Sequence, residues 1–173
     1  MNIHQNNELL FTEKISSNRT LVLFLALMLL FLLLFIWRMT TVGLDILALA
    51  SLFFSIIFLF YVVNYRMLEV YLTHQHLRLK FGIFTWTEQL SNIAGCALDE
   101  IPWLKRMGGA GIHFMFVRKR YRVSFNFLEY PRVVLALKRK RGLVQDVSFS
   151  TSQPAKILKL LGDAITPNQS ALN

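Results

Sequence analysis

Few side chains in this sequence of 173 residues have types and spacing that could do chemistry. His74 and His76 lie two apart, so on an extended strand they would share a face and could begin a metal site. Neither His113 nor the single Cys96 has ligand-like spacing to them, and the pair reads as a solvated turn. A lone Cys supplies neither an internal disulfide nor a Cys-based zinc site, and reads as a small packed side chain. Asp99 and Glu100 are adjacent and diverge in extended chain, and Glu69, Glu88, Glu129, Asp146 and Asp163 are scattered. Gly108-Gly-Ala-Gly111 lacks the Lys-Ser/Thr of a P-loop and precedes a predicted strand, so it reads as a flexible strand entry. General acid–base or nucleophilic catalysis needs groups paired within reach. None is announced here, so the expectation is a chain that is not an enzyme and holds no cofactor or metal.

What remains is charge. Against 10 Asp+Glu stand 19 Lys+Arg, a net charge of +9. Residues 1–65 balance, with Lys14, Arg19 and Arg38 against Glu8, Glu13 and Asp45; residues 66–173 hold 16 basic and 7 acidic side chains. The excess concentrates in Arg118, Lys119, Arg120 and Arg122, and again in Lys138, Arg139, Lys140 and Arg141. Two readings fit: solvated hairpin turns, or contact with anionic lipid headgroups worth about 1 kcal/mol per basic residue. These eight side chains are the candidate headgroup contacts. Nucleic acid fits the charge but finds no recognisable reading element.

The elements that position these charges come in two kinds. Leu21–Trp37 is 17 residues without a charge, and Ile46–Val63 is 18 residues interrupted only by Ser51 and Ser55. A bilayer-spanning helix needs about 17–25 apolar residues, so helices over 20–38 and 44–65 are predicted, joined as a membrane-crossing hairpin. A signal peptide fits less well, because no small-residue cleavage site follows. Core helices of a soluble protein would need a large surrounding core. Lys14, Arg19, Arg66, Arg78 and Lys80 flank the hairpin on one side against Arg38 in the loop, which places both termini in the cytoplasm. Trp37, Tyr61 and Tyr65 stand where interfacial aromatics are favoured. Asp45 reads as a helix start, and Ser51 and Ser55 could let the helices approach closely.

Beyond Arg66 the period becomes two. Strands are predicted at Met67–Thr73, Leu77–Ile83, Trp86–Ile93, Ile112–Arg118, Tyr121–Phe127, Arg132–Arg139 and Leu143–Ser150, with turns at His74–His76, Lys119–Arg120 and Lys140–Gly142. The period then changes again: Thr151 or Ser152 offers an N-cap, Pro154 fits the first turn, and Ile157, Leu158, Leu160, Leu161, Ala164 and Ile165 share a helical face. Residues 1–18 read as a mobile polar tail and 167–173 as a disordered one, leaving 66–166 as the folded domain. With 54% hydrophobic, 13% aromatic and 17% charged residues, the chain is far from disordered composition.

Leu77-Arg-Leu-Lys-Phe-Gly-Ile-Phe, Gly108-Gly-Ala-Gly-Ile-His-Phe and Val147-Ser-Phe-Ser-Thr-Ser-Gln-Pro before an amphipathic helix carry a resemblance. The stretch from Tyr71 to Ile165 resembles the bacterial pleckstrin-homology-like (PH-like) domains that follow one or two membrane spans. The resemblance implies an α+β chain: a transmembrane hairpin, then a seven-stranded antiparallel β-sandwich or barrel capped by a C-terminal helix. It further implies a binding or scaffold module in a bacterial cytoplasmic membrane, with a protein partner or a second copy as alternative occupants. Eukaryotic lipid-binding members carry a Lys and a basic-x-Arg pair in the first hairpin, where this chain has Thr73-His74 and Arg78-x-Lys80.

Overall fold

The computed structural model of the chain describes residues 8–99 and 111–165. Glu100, Gly108–Ala110 and the expected tail at 167–173 lie outside the described residues. The chain is α+β, with two long apolar helices, two sheets and a C-terminal helix.

The first departure from expectation lies at the start. Residues Leu9–Ser16, expected within a mobile tail, form a strand, β1, paired antiparallel with β2 (Met67–Thr73). β1 buries Phe11 and Ile15 in the core, and with them the Glu13 carboxylate. That carboxylate accepts hydrogen bonds from the Thr151 hydroxyl at 2.5 Å, the Ser152 backbone N–H at 2.8 Å and the Ser152 hydroxyl. It therefore ties the first strand to the chain entering the last helix, where Thr151 itself accepts from the Gln153 N–H. A polar residue at an inward position conceals the alternation that would otherwise mark a strand.

Between β1 and β2 the chain makes its helical hairpin. α1 (Asn18–Thr41) starts at an N-cap Ser17 whose hydroxyl accepts from the Thr20 N–H at 3.0 Å; α2 (Ile46–Asn64) starts at Asp45, which accepts from the Ala48 N–H at 2.8 Å. Asp45 also pairs with Arg38 across the connecting loop, where Gly43 takes φ +92. Ala48, Ser51 and Ser55 are buried in the seam between the helices, and the Ser55 hydroxyl donates to the Met28 carbonyl at 3.3 Å. Small residues at this spacing let backbones approach. Both helices are long and apolar enough to cross a membrane, and only 11% and 17% of their most apolar stretches are buried. A soluble core helix shows the reverse.

The remaining strands are β3 (His76–Phe81), β4 (Phe84–Gln89), β5 (Ile93–Leu98), β6 (Gly111–Val117), β7 (Arg120–Asn126), β8 (Arg132–Arg141) and β9 (Val144–Ser150), followed by α3 (Pro154–Ile165). One sheet has the order β1-β2-β3-β4, the other β5-β8-β9-β7-β6. Three expectations change. Among the described residues there are nine strands, not seven. The predicted strand 86–93 is broken by a single 3-10 turn at Leu90–Asn92, so β4 and β5 belong to different sheets. And β7 pairs with β9 in parallel, so the arrangement is mixed and not wholly antiparallel. Ile157, Leu161 and Ile165 of α3 are buried beside Cys96 of β5, whose thiol is 3.8 Å from the Leu158 carbonyl.

Hairpin and sheets share one core. Phe24 stacks on Tyr61 at 5.0 Å, Tyr61 on Tyr65 at 4.8 Å, and Tyr65 contacts Phe81 at 5.0 Å, which meets Phe127 at 5.0 Å. Tyr65, expected at a lipid interface, is only 6% exposed and belongs to this column. Its ring abuts Gly111 of the second sheet, and Phe84 of the first. Arg19 pairs with Glu129 at 3.6 Å, and the Tyr130 hydroxyl donates to the Ser16 carbonyl at 3.0 Å. Strand ends of both sheets thus meet at the base of the hairpin, so the sandwich stands on it end-on.

Removing the carboxylate in Glu13→Ala should cost about 2–3 kcal/mol, since hydrogen bonds to a buried charge are the strong ones. Chemical denaturation of the detergent-solubilised chain measures it. A wild-type midpoint would mean that β1 is not held as described.

Candidate functional site

The eight basic candidates do not form one surface. Arg118 and Lys119 are exposed and make the β6–β7 turn, both at positive φ (48 and 68), one residue earlier than expected. Such a two-residue turn suits the strand twist but normally takes Asn or Gly, because a side chain at positive φ costs about 1–2 kcal/mol. Lys138, Arg139, Lys140 and Arg141 are exposed where β8 leaves its pairing with β9. Arg141 donates to the Thr87 carbonyl at 2.6 Å and lies 4.7 Å over the Trp86 ring. An open groove of about 540 Å³ runs beside these four residues. None of these six side chains has an ion-pair partner among the described residues.

Arg120 and Arg122 do something else. Arg120 pairs with Asp146 at 2.8 Å. Arg122 is buried between Asp99 at 3.2 Å and Asp146 at 3.8 Å, while Asp99 also meets Arg132 at 3.3 Å. Arg122, expected as a headgroup contact, is thus held inside the fold by two carboxylates. The chain of charges runs across the outer face of the second sheet, beside a buried polar row in which Ser124 bonds Ser148 and Ser150 bonds Asn126. The parallel register sets Arg122 opposite Asp146. Neither the pairing nor the burial was visible in the sequence, where Arg120 and Arg122 read as part of a basic turn and Asp146 as one of several scattered acids.

The position of the six free cations matters more than their number. β7 starts at Arg120 and ends beside Phe127 in the aromatic column; β8 starts beside Tyr130 and ends at Arg141. At about 3.3 Å per residue, the Arg118–Lys119 turn stands about 20 Å from the hairpin, over twice the screening length of about 8 Å at physiological salt. The second basic run starts as far out, but Arg141 folds back onto Trp86 and Thr87, about 10 Å along β4 from Phe84 at the hairpin's base. Arg118 and Lys119 thus lie at the end of the second sheet away from the apolar helices.

The charges at the hairpin's own base, read from the sequence only as a flanking bias, are grouped by the fold. Arg66 is exposed directly after α2, and Lys14, Glu69 and Lys80 occupy one cross-strand row on the outer face of the first sheet. Glu69 lies 3.2 Å from Lys14 and 3.9 Å from Lys80, and accepts from the Tyr71 hydroxyl at 2.6 Å. That hydroxyl, then Lys14, holds the Glu69 carboxyl below the usual carboxylate range. Their sequence signal was the alternation Lys14…Glu69…Lys80, legible only once the register is known.

The groups considered for catalysis stay apart. His74 is exposed in the β2–β3 turn, while His76 begins β3. Burial pushes the Cys96 thiol up. His113 sits on the outer face of the second sheet, and burial, with the Arg132 charge second, lowers its imidazole pKa from the ordinary 6.5. Among the described residues no three of His, Cys, Asp and Glu converge as a metal centre would need. Compared with protein-family models, curated proteins and solved structures, the chain matches none.

Two outcomes follow from the ion chain and His113. Arg122→Ala removes one of the two arginines from each of Asp99 and Asp146, which keep Arg132 and Arg120, and should destabilise by about 1–3 kcal/mol; Lys119→Gln at the solvated turn should stay within about 0.5 kcal/mol. Because folding lowers the His113 pKa, the unfolded chain binds the extra proton. Its contribution is intact above about pH 6.5 and declines as pH falls below that value. His113→Gln should flatten this acid limb of the denaturation midpoint, and an unchanged limb would exclude His113 as its source.

Proposed function

We propose that this chain is an integral protein of a bacterial cytoplasmic membrane, with both termini in the cytoplasm, and that it works as a non-catalytic binding or scaffold module. Its cytoplasmic part is read as a variant of the PH-like domain, with the added strand β1 and the parallel β7–β9 pairing as its departures. The single observation that supports this most is the insertion of an apolar, lipid-length hairpin between two paired strands. A domain attached by one flexible linker can tumble; this one leaves the hairpin through two strands and an aromatic column, so its far pole keeps a fixed direction. Anionic lipid then acts at the base of the hairpin, through Arg66, Lys14 and Lys80. The six distal cations are held in the cytoplasm for an acidic partner surface, where electrostatic complementarity speeds encounter. Strain tolerated at Arg118–Lys119 supports a functional demand on that turn.

A second reading, an accessory subunit of a larger membrane complex, is favoured by one observation. Phe114 and Phe116 on the edge strand β6 are 57% and 76% exposed, although they extend the inward face that carries Phe125. An open edge with exposed aromatics is a place where a partner can add to a sheet.

Impermeant maleimide labelling of whole cells tests the first reading on a Cys96→Ser background. Val42→Cys in the loop should label from outside, and Leu143→Cys at the distal turn only after lysis. The reverse pattern would sink the orientation. For the second reading, a chain that purifies alone in mild detergent, at the mass of one copy, would argue against the complex.

A further inference from the structure

At the base of the hairpin, the outer face of the first sheet carries a groove of about 270 Å³. Its lip is apolar: Val63 at the end of α2 is 68% exposed and Met67 at the start of β2 is 41% exposed. Its wall is charged, with Arg66, Lys80 and Glu69. Gly82, at φ +59, keeps β3 and β4 tight against α2, since a Cβ there would stand 2.1 Å from the Asn64 carbonyl oxygen. Arg66 has no acidic partner among the described residues, and Lys80 shares the one carboxylate, Glu69, with Lys14 and the Tyr71 hydroxyl. Three cations thus face one acid.

The placement suits a particular depth. The Lys14–Glu69–Lys80 row is two residues along the strand from Ser16 and Met67, about 7 Å beyond the hairpin. A headgroup layer is about 5–7 Å thick on each side of the hydrocarbon core. The flexible Lys heads of this row, and Arg66 just before β2, therefore reach the phosphates, while Val63 and Met67 stay level with the first acyl carbons.

We propose that this groove binds the headgroup of an anionic phospholipid. The phosphate diester oxygens sit between the Arg66 guanidinium and the Lys80 ammonium, and the first methylenes of an acyl chain lie on Val63 and Met67. A zwitterionic headgroup gains less, because its cation finds only a Glu69 already taken by three donors. A free phosphate ester gains the charge contacts but not the apolar lip. The inference rests on the bilayer reading of the hairpin and deepens it.

Native mass spectrometry of the full chain, released from detergent, provides the test with three probes: phosphatidylglycerol, phosphatidylcholine and glycerol phosphate. Phosphatidylglycerol adducts should be retained about tenfold more strongly than the other two. Arg66→Gln with Lys80→Gln should abolish that preference, and Glu69→Gln should strengthen it. Neutralising Arg118, Lys119 and Lys138–Arg141 should leave it unchanged. Equal retention of the two lipids by the wild type, or an undiminished preference in the Arg66→Gln/Lys80→Gln variant, would overturn the site. Glycerol phosphate bound as tightly as phosphatidylglycerol would reassign it to a soluble phosphate ester. Failure of the bilayer reading itself shows separately, as a chain that stays in solution without detergent.

Discussion

Everything in this molecule depends on the way two strands, β1 and β2, hydrogen-bond to each other although 50 residues separate Ser16 from Met67. The residues between them are a helical hairpin too apolar to be covered by the rest of the chain. Each burial then enforces the other. The strand pair fixes where the helices emerge, and the helices deliver Tyr65 to the one place where both sheets can close around it. A fully buried aromatic side chain contributes about 1.5–3 kcal/mol, so a column of four or five is large beside the net stability of a domain. The junction is as much a core as the sandwich.

That geometry sorts the charges into three populations with different energetics. Arg120, Arg122, Arg132, Asp99 and Asp146 are held in a mutually compensating chain in which each carboxylate faces two guanidinium groups. Lys14, Arg66 and Lys80 lie within about 7 Å along the strands from the base of the hairpin, around the one carboxylate of Glu69. Arg118, Lys119 and Lys138–Arg141 are exposed and have no ion-pair partner among the described residues, Arg141 lying on Trp86. A count of +9 cannot distinguish these. Position decides which of them does electrostatic work, and on what.

The same sorting accounts for where most of the acids go. The acids that a sequence scan leaves scattered are mostly already engaged: Glu13 with the entry to α3, Glu69 with two lysines and a tyrosine, Asp99 and Asp146 with arginines. Their oxygens hold strands and loops together across long separations, which is a structural use of charge.

What the sequence determined alone was local. Runs of 17 and 18 apolar residues specify lipid-length helices without reference to anything else, Asp45 and Ser51/Ser55 announce a cap and a close seam, and the amphipathic period after Pro154 specifies α3. Alternation located β2, β3 and β6 to β9 to within a few residues, because one face of each is apolar. Tertiary structure decided whatever depended on a distant partner. β1 was invisible because its inward Glu13 is satisfied by Thr151 and Ser152, 138 and 139 residues away. The outer face of the second sheet looked solvated because Arg122 finds Asp146 only through a parallel pairing. And the distance of each basic residue from the hairpin was not legible, because a sequence ranks basic runs by density, whereas only the direction of the strands away from the hairpin fixes how far along them each charge lies.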